Sequence, residues 1–168
     1  PILIMTYFNI VHKYGIESFT RMARDIGVQG LIVPDYPFDE EGDNHLLKHC
    51  KQNDLAFIQV MASTTRTARQ KDIIANASGF VYCMARTGTT GEKTIIGQDT
   101  ISYLQAVKAG CHLPMAVGFG LSERTQVLAL EPYADIMVVG SALIQEYANK
   151  PLSQGLQAIH QFIQNLKA

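Results

Sequence analysis

The chain has 168 residues, 47% of them apolar and 17% charged, with a formal net charge of −1. That composition supports a buried core and argues against a disordered chain. The near-neutral balance, with no basic patch, excludes nucleic acid as an expected partner, and no apolar run reaches the length of a membrane-spanning helix.

In chain order, Ile2 to Tyr7 is the first predicted strand, and Glu17 to Ile26 a helix with Phe19, Met22, Ala23 and Ile26 at helical spacing. Gly27 ends that helix. Gly30-Leu-Ile-Val-Pro-Asp35 is a second strand, followed by a helix around Asn44 to Gln52. Strand Leu55 to Met61 precedes helix Arg66 to Ala77, and strand Gly79 to Met84 precedes helix Thr100 to Ala109. Pro114 to Gly118 is the fifth strand, with Ser122 expected to cap a helix to about Leu130. Asp135 to Val139 is the sixth strand, and Pro151 opens a closing helix from Leu152 to Leu166.

Six βα units without hairpin signals predict an α/β fold with a parallel sheet. Apolar strands such as Leu31-Ile-Val33 and Ile136-Met-Val-Val139 suit a sheet covered on both faces. Two architectures fit: an open doubly wound sheet, or a barrel with units missing. A complete (βα)8 barrel takes about 250 residues, so two absent units would account for the shortfall. The strand-like Pro1-Ile-Leu-Ile-Met-Thr-Tyr7, with no initiator Met or signal peptide, gives the expectation that the native protein is longer. An intact mass of 18.6 kDa, that of this chain, would refute it.

Candidate chemistry lies just past the strands, where α/β proteins bind ligands. Gly118-Phe-Gly120 and Gly140-Ser141 come after the last two strands, the usual place of a barrel phosphate site. Glycine lets backbone N–H groups approach an anion, and a helix N-terminus adds partial positive charge. Simple tight turns are the alternative for any one glycine pair; two successive strands ending this way, with Gly88 and Gly91, favour phosphate. Gly118-Phe-Gly120-Leu-Ser-Glu123 lacks the third glycine of a dinucleotide fingerprint, and Gly91-Glu-Lys-Thr94 has the wrong spacing for a P-loop. The polar segment from Arg86 to Gly97 reads as an active-site lid or an ordinary surface loop. Asp35 reads as a base or a capping carboxylate, with Pro34 and Pro37 favouring the structural role. His45 and His49, four apart on a predicted helix without a third ligand, are read as solvated, so no metal site is expected. Cys50, Cys83 and Cys111, odd in number and far apart, are read as reduced thiols of a cytoplasmic protein.

Taken together, these motifs resemble those of tryptophan synthase α subunits. Met5-Thr-Tyr-Phe-Asn9 and Tyr14-Gly-Ile-Glu-Ser-Phe19 resemble the third strand and the segment after it. Gly30-Leu-Ile-Val-Pro-Asp-Tyr-Pro37 resembles the fourth strand and its loop. Gly79-Phe-Val-Tyr82 with Arg86-Thr-Gly-Thr-Thr-Gly91 resembles the sixth strand and its flexible loop. Val117-Gly-Phe-Gly-Leu-Ser122 and Val139-Gly-Ser-Ala142 resemble the last two strand ends. Ala85 and Thr89 depart from a common serine and valine.

The resemblance implies a single (βα)8 TIM-barrel domain over residues 1–168, of which the chain holds strands three to eight. It implies phosphate binding by Gly91, Gly120, Gly140 and Ser141, and an indole pocket shaped by Tyr7, Ile32 and Phe119. Thr90 would position a catalytic aspartate and Tyr82 would support a catalytic glutamate, both of which would precede Pro1. Asn9, Asp35 and Pro37 would face a β subunit in an α2β2 complex. The implied reaction is retro-aldol cleavage of indole-3-glycerol phosphate to indole and glyceraldehyde 3-phosphate in tryptophan biosynthesis. The segment alone would be inactive, and pyridoxal phosphate would belong only to the β subunit. Another phosphate-binding barrel, such as a sugar-phosphate isomerase, or a purely binding and activating subunit, are the competing readings.

Overall fold

A computed structural model describes residues 1–36, 45–84, 96–118 and 120–167. Its elements are β1 (Leu3–Met5), α1 (Phe8–Tyr14), α2 (Ile16–Asp25), β2 (Gly30–Ile32), α3 (Leu46–Gln52), β3 (Ala56–Met61), α4 (Thr67–Ala75) and β4 (Val81–Met84). They continue with α5 (Gln98–Gly110), β5 (Met115–Gly118), α6 (Arg124–Leu130), β6 (Ile136–Met137), α7 (Ser141–Tyr147) and α8 (Leu152–Lys167). Hydrogen-bonded strand order is the same as chain order, β1-β2-β3-β4-β5-β6. The six predicted βα units are therefore present. The chain divides into two compact units, one of residues 1–61 and 65–82, the other of residues 62–64 and 83–168.

In the first unit, β1, β2 and β3 pair in parallel, with Leu3 opposite Gly30 and Gly30 opposite Ala56. Gly30 is required by packing: a Cβ there would stand 2.7 Å from the Ala56 carbonyl oxygen. The ladder continues below the strands, where Gln29 N–H donates to Ile2 O and Ala56 N–H to Gln29 O, each at 2.9 Å. Val11, Leu31, Leu46, Ile58 and Met61 are its most deeply buried apolar side chains. Burying each contributes roughly 1.5–3 kcal/mol. Helices α2 and α3 meet around buried Thr20, whose Oγ1 accepts from Asn53 Nδ2 at 3.1 Å and donates back to Ile16 O at 3.0 Å. Gly27, at φ +87°, ends α2 as predicted, its N–H donating to Arg24 O.

In the second unit, β5 and β6 are parallel, with Ala116 opposite Ile136 and Val117 opposite Met137. Asp135 fastens the start of this pair twice: its N–H donates to Met115 O, and its Oδ2 accepts from Met115 N–H, both at 2.8 Å. Leu104, Val107, Met115, Ala116, Val117 and Leu130 form the core. Helices α7 and α8 pack where Gly155 leaves room for the Tyr147 ring; an added Cβ would meet it at 2.5 Å.

Four expectations change. Helices α1 and α7 carry no predicted counterpart, and most strands are shorter than their apolar runs, β1 ending at Met5 rather than Tyr7. Helix α6 is capped by Glu123, not Ser122: Glu123 and Gln126 form a capping box, and Gln126 Oε1 accepts from both Ser122 and Glu123 N–H. His45 is not on a helix face with His49; it is the residue before α3, at φ +50°. No helix among the described residues is long and apolar enough to cross a membrane.

Candidate functional site

In the second unit, the parallel pairing of β5 and β6 brings their C-terminal ends side by side. The ladder extends past the strands, Val138 N–H donating to Val117 O at 2.8 Å. The chain leaves β5 through Gly118 to Gly120, and Gly120 takes φ +76°, a turn that only glycine adopts without strain. It leaves β6 through Gly140, which precedes α7 with no side chain capping the helix. The Gly140 carbonyl accepts from Leu143 and Ile144 N–H. The N–H groups of Ser141 and Ala142 start the helix, where no intrahelical acceptor exists. A Cβ added at Gly140 would meet nothing within 4 Å. Open space, first-turn amides without an intrahelical acceptor and a hydroxyl residue suit an oxyanion such as phosphate. Gly91, expected at the phosphate site, and Phe119, expected at the indole end, lie outside the described residues, as do Thr90 and Pro37.

In the first unit, the ends of β1 and β2 also lie together. Met5 is opposite Ile32, and Thr6 N–H donates to Ile32 O at 3.1 Å. Tyr7 comes directly after and is 65% exposed, while Ile32 is buried. Asn9, on the first turn of α1, is exposed. Asp35 Oδ1 accepts Phe8 N–H at 2.9 Å, so Asp35 is a capping carboxylate, for a helix lying earlier in the chain. Tyr82, on β4, is buried, and burial raises its hydroxyl pKa above the usual phenol value. A buried neutral phenol of this kind supports neighbours by hydrogen bonding rather than by proton transfer.

Sequence reasoning missed Tyr36. Its ring packs against Phe8 at 4.8 Å between centroids with the planes tilted by 54°, and meets Phe57 edge-on at 5.9 Å, and its hydroxyl accepts Leu46 N–H at 3.2 Å. Its only sequence signal was an aromatic beside Pro34 and Asp35. In the second unit, burial pushes the Cys83 thiol up to about 11, with Cys111 raising it further and the Tyr103 hydroxyl beside it acting the other way. Cys83 is therefore an inert thiol at neutral pH. Among the described residues, no cluster of three His, Cys, Asp or Glu side chains can hold a metal ion.

Comparison with known proteins identifies the family. The family model described as "Tryptophan synthase alpha chain" matches residues 1–168. A tryptophan synthase alpha chain from Clostridium beijerinckii is 40% identical over 166 residues, covering 99% of this chain and 61% of its own length. One from Desulforapulum autotrophicum is 39% identical, with 99% and 63% covered. Among solved structures, the tryptophan synthase α2β2 complex of Pyrococcus furiosus superposes with a TM-score of 0.88 at 30% identity, covering 99% of this chain and 66% of that one. Mycobacterium tuberculosis tryptophan synthase gives 0.83 at 31% identity, with 98% and 60% covered. The chain thus spans about three-fifths to two-thirds of the length of these relatives. Six βα units in sequential order, glycine turns at the last two strand tips and a match along the whole chain place it in the tryptophan synthase alpha chain family.

Proposed function

We propose that this chain supplies the phosphate-binding and partner-facing part of an α subunit that cleaves indole-3-glycerol phosphate to indole and glyceraldehyde 3-phosphate. The observation that carries the reading is the adjacent pair of strand ends, β5 and β6, with Gly140 and Ser141 opening α7 onto free space. Gly91, Gly120, Gly140 and Ser141 hold the phosphate. Tyr7, Ile32 and Phe119 shape the indole end, Tyr82 and Thr90 support the acid–base residues, and Asn9, Asp35 and Pro37 face the β subunit. Residues 1–168 then belong to one (βα)8-barrel domain of a cytoplasmic protein.

In this retro-aldol reaction an acid protonates the indole ring carbon while a base takes the hydroxyl proton of the glycerol chain. The carbon–carbon bond between them breaks, leaving indole and an aldehyde. A carboxylate beside the indole N–H stabilises the developing positive charge. The carboxylate pair that does this stands, in this reading, on polypeptide outside Pro1–Ala168. Pyridoxal phosphate belongs to the β subunit, which receives the indole. The mutual activation named for the Pyrococcus furiosus α2β2 complex favours a role as activating subunit alongside catalysis.

The test measures indole release from indole-3-glycerol phosphate by the complete polypeptide carrying this sequence, with and without β subunit. Release that β subunit stimulates is expected, with none from Pro1–Ala168 alone. Turnover of a sugar phosphate instead, with no indole, would replace this reading by that of a sugar-phosphate isomerase.

A further inference from the structure

Helix α1 has no cap of its own: Tyr7, at its N-terminal boundary, contributes no side-chain hydrogen bond. The carboxylate that accepts the first helical N–H, that of Phe8, comes from Asp35 in the loop after β2. That loop is itself a tight turn, closed by Tyr36 N–H donating to Val33 O at 3.2 Å. The next residue, Tyr36, reinforces the joint by packing its ring against Phe8 and by accepting the first helical N–H of α3, that of Leu46. Helix α3 likewise lacks a side-chain cap from its own boundary residue, His45. One dipeptide therefore fixes the starts of two helices, each by a hydrogen bond to its first amide.

We propose that Asp35 is a positioning residue that acts on substrate through Tyr7 and on the partner through Asn9. This inference rests on the proposed function, in which Tyr7 shapes the indole end and Asn9 faces the β subunit. Tyr7 immediately precedes the tethered amide and Asn9 comes immediately after it. Tyr7 is largely exposed and no described hydrogen bond anchors its side chain, so its place depends on where α1 begins. With the Asp35 acceptor removed, the first turn of a seven-residue helix frays, since so short a helix has little stability of its own. Asp35 is itself exposed while its Oδ1 accepts Phe8 N–H, so it shapes the partner-facing surface through the residues it positions.

The experiment compares Asp35→Ala and Asp35→Asn in the complete polypeptide, first without partner and then with β subunit. Asp35→Ala is expected to raise KM for indole-3-glycerol phosphate roughly two- to thirty-fold, the range of a lost helix cap. The rate at saturating substrate should change far less. Asp35→Asn, whose amide oxygen can still accept Phe8 N–H, should restore most of the KM. Amide exchange at Phe8 should accelerate in Asp35→Ala and return toward wild type in Asp35→Asn. An unchanged KM in the isolated subunit with weakened β-subunit binding would overturn the proposal, because Asp35 would then act on the partner alone and not on substrate through Tyr7. Equal damage from both substitutions would also overturn it, since charge rather than the accepted hydrogen bond would matter. If the wild-type polypeptide released no indole, the proposed function would fail. Phe8 exchange would still decide the tether: acceleration in Asp35→Ala alone supports it, and no change removes it.

Discussion

Gly140 separates a binding role from a structural one because the protein itself leaves room for a side chain there. A methyl group at this position meets nothing within 4 Å, so Gly140→Ala should leave Tm unchanged within a degree or so. If the open space is where a phosphate sits, the same methyl displaces the ligand. Affinity for glyceraldehyde 3-phosphate, measured by calorimetry on the complete polypeptide, should then fall about tenfold or more. If Ser141 holds the phosphate as proposed, Ser141→Ala removes one hydrogen bond to a charged ligand and should also cost roughly tenfold. A second prediction concerns the thiols. Cys83 and Cys50 are buried and Cys111 is partly accessible, so a thiol reagent at neutral pH should label Cys111 first. The Cys83 pKa is raised from an ordinary 9.0 to about 11, chiefly by burial. Between those values the folded thiol keeps a proton that the unfolded one has lost, so ionisation favours unfolding. Its contribution to stability is complete below pH 9 and declines as pH rises through 11. Urea titrations across that window should show a steeper loss for wild type than for Cys83→Ala.

Short helices here take their definition from neighbours. Helix α7, seven residues long, has no buried side chain, and its hold on α8 runs through the Tyr147 ring over Gly155. Gly155→Ala puts a methyl 2.5 Å from that ring, so the ring or the helices must shift. Overpacking of this kind costs about 1–3 kcal/mol, offset only slightly by alanine's better helix propensity. Urea denaturation should show the loss, and Tyr147→Ala in the Gly155→Ala background should recover part of it. If α7 presents Ser141 to phosphate as proposed, Gly155→Ala should also weaken phosphate binding, whereas Gly140→Ala should weaken binding without touching stability. The same dependence on neighbours explains why α1 and α7 are not legible in the sequence. Length is not the reason, since α3 and α6 are equally short; the cap of α1 stands on Asp35, 27 positions away, and α7 buries no side chain. Helices α2, α5 and α8 carry 10, 13 and 16 residues and are legible nearly to their ends.

At the scale of the whole molecule, each end of the strand order presents apolar surface. Among the described residues, β1 pairs only with β2, with Ile2 before it and Met5 at its end 66% and 56% exposed, and β6 pairs only with β5, with Ile136 39% exposed. Open, apolar strand edges recruit further strands. Purified Pro1–Ala168 should therefore self-associate with rising concentration in sedimentation, and Met5→Lys or Ile136→Lys should reduce it; a monomer at all concentrations would contradict this. What the sequence determined by itself was local and repetitive: six βα units, strands apolar enough for two-sided burial, and glycines placed where strand ends need close backbone approach. Those come from periodicity and from glycine's missing Cβ, both written in consecutive residues. The tertiary structure alone decided where strands stop, that Glu123 rather than Ser122 caps α6, and that Asp35 and Tyr36 hold the first amides of α1 and α3. Each of those rests on a hydrogen bond or a ring contact whose partners meet only once the strands have set their register, which no window of neighbouring residues contains.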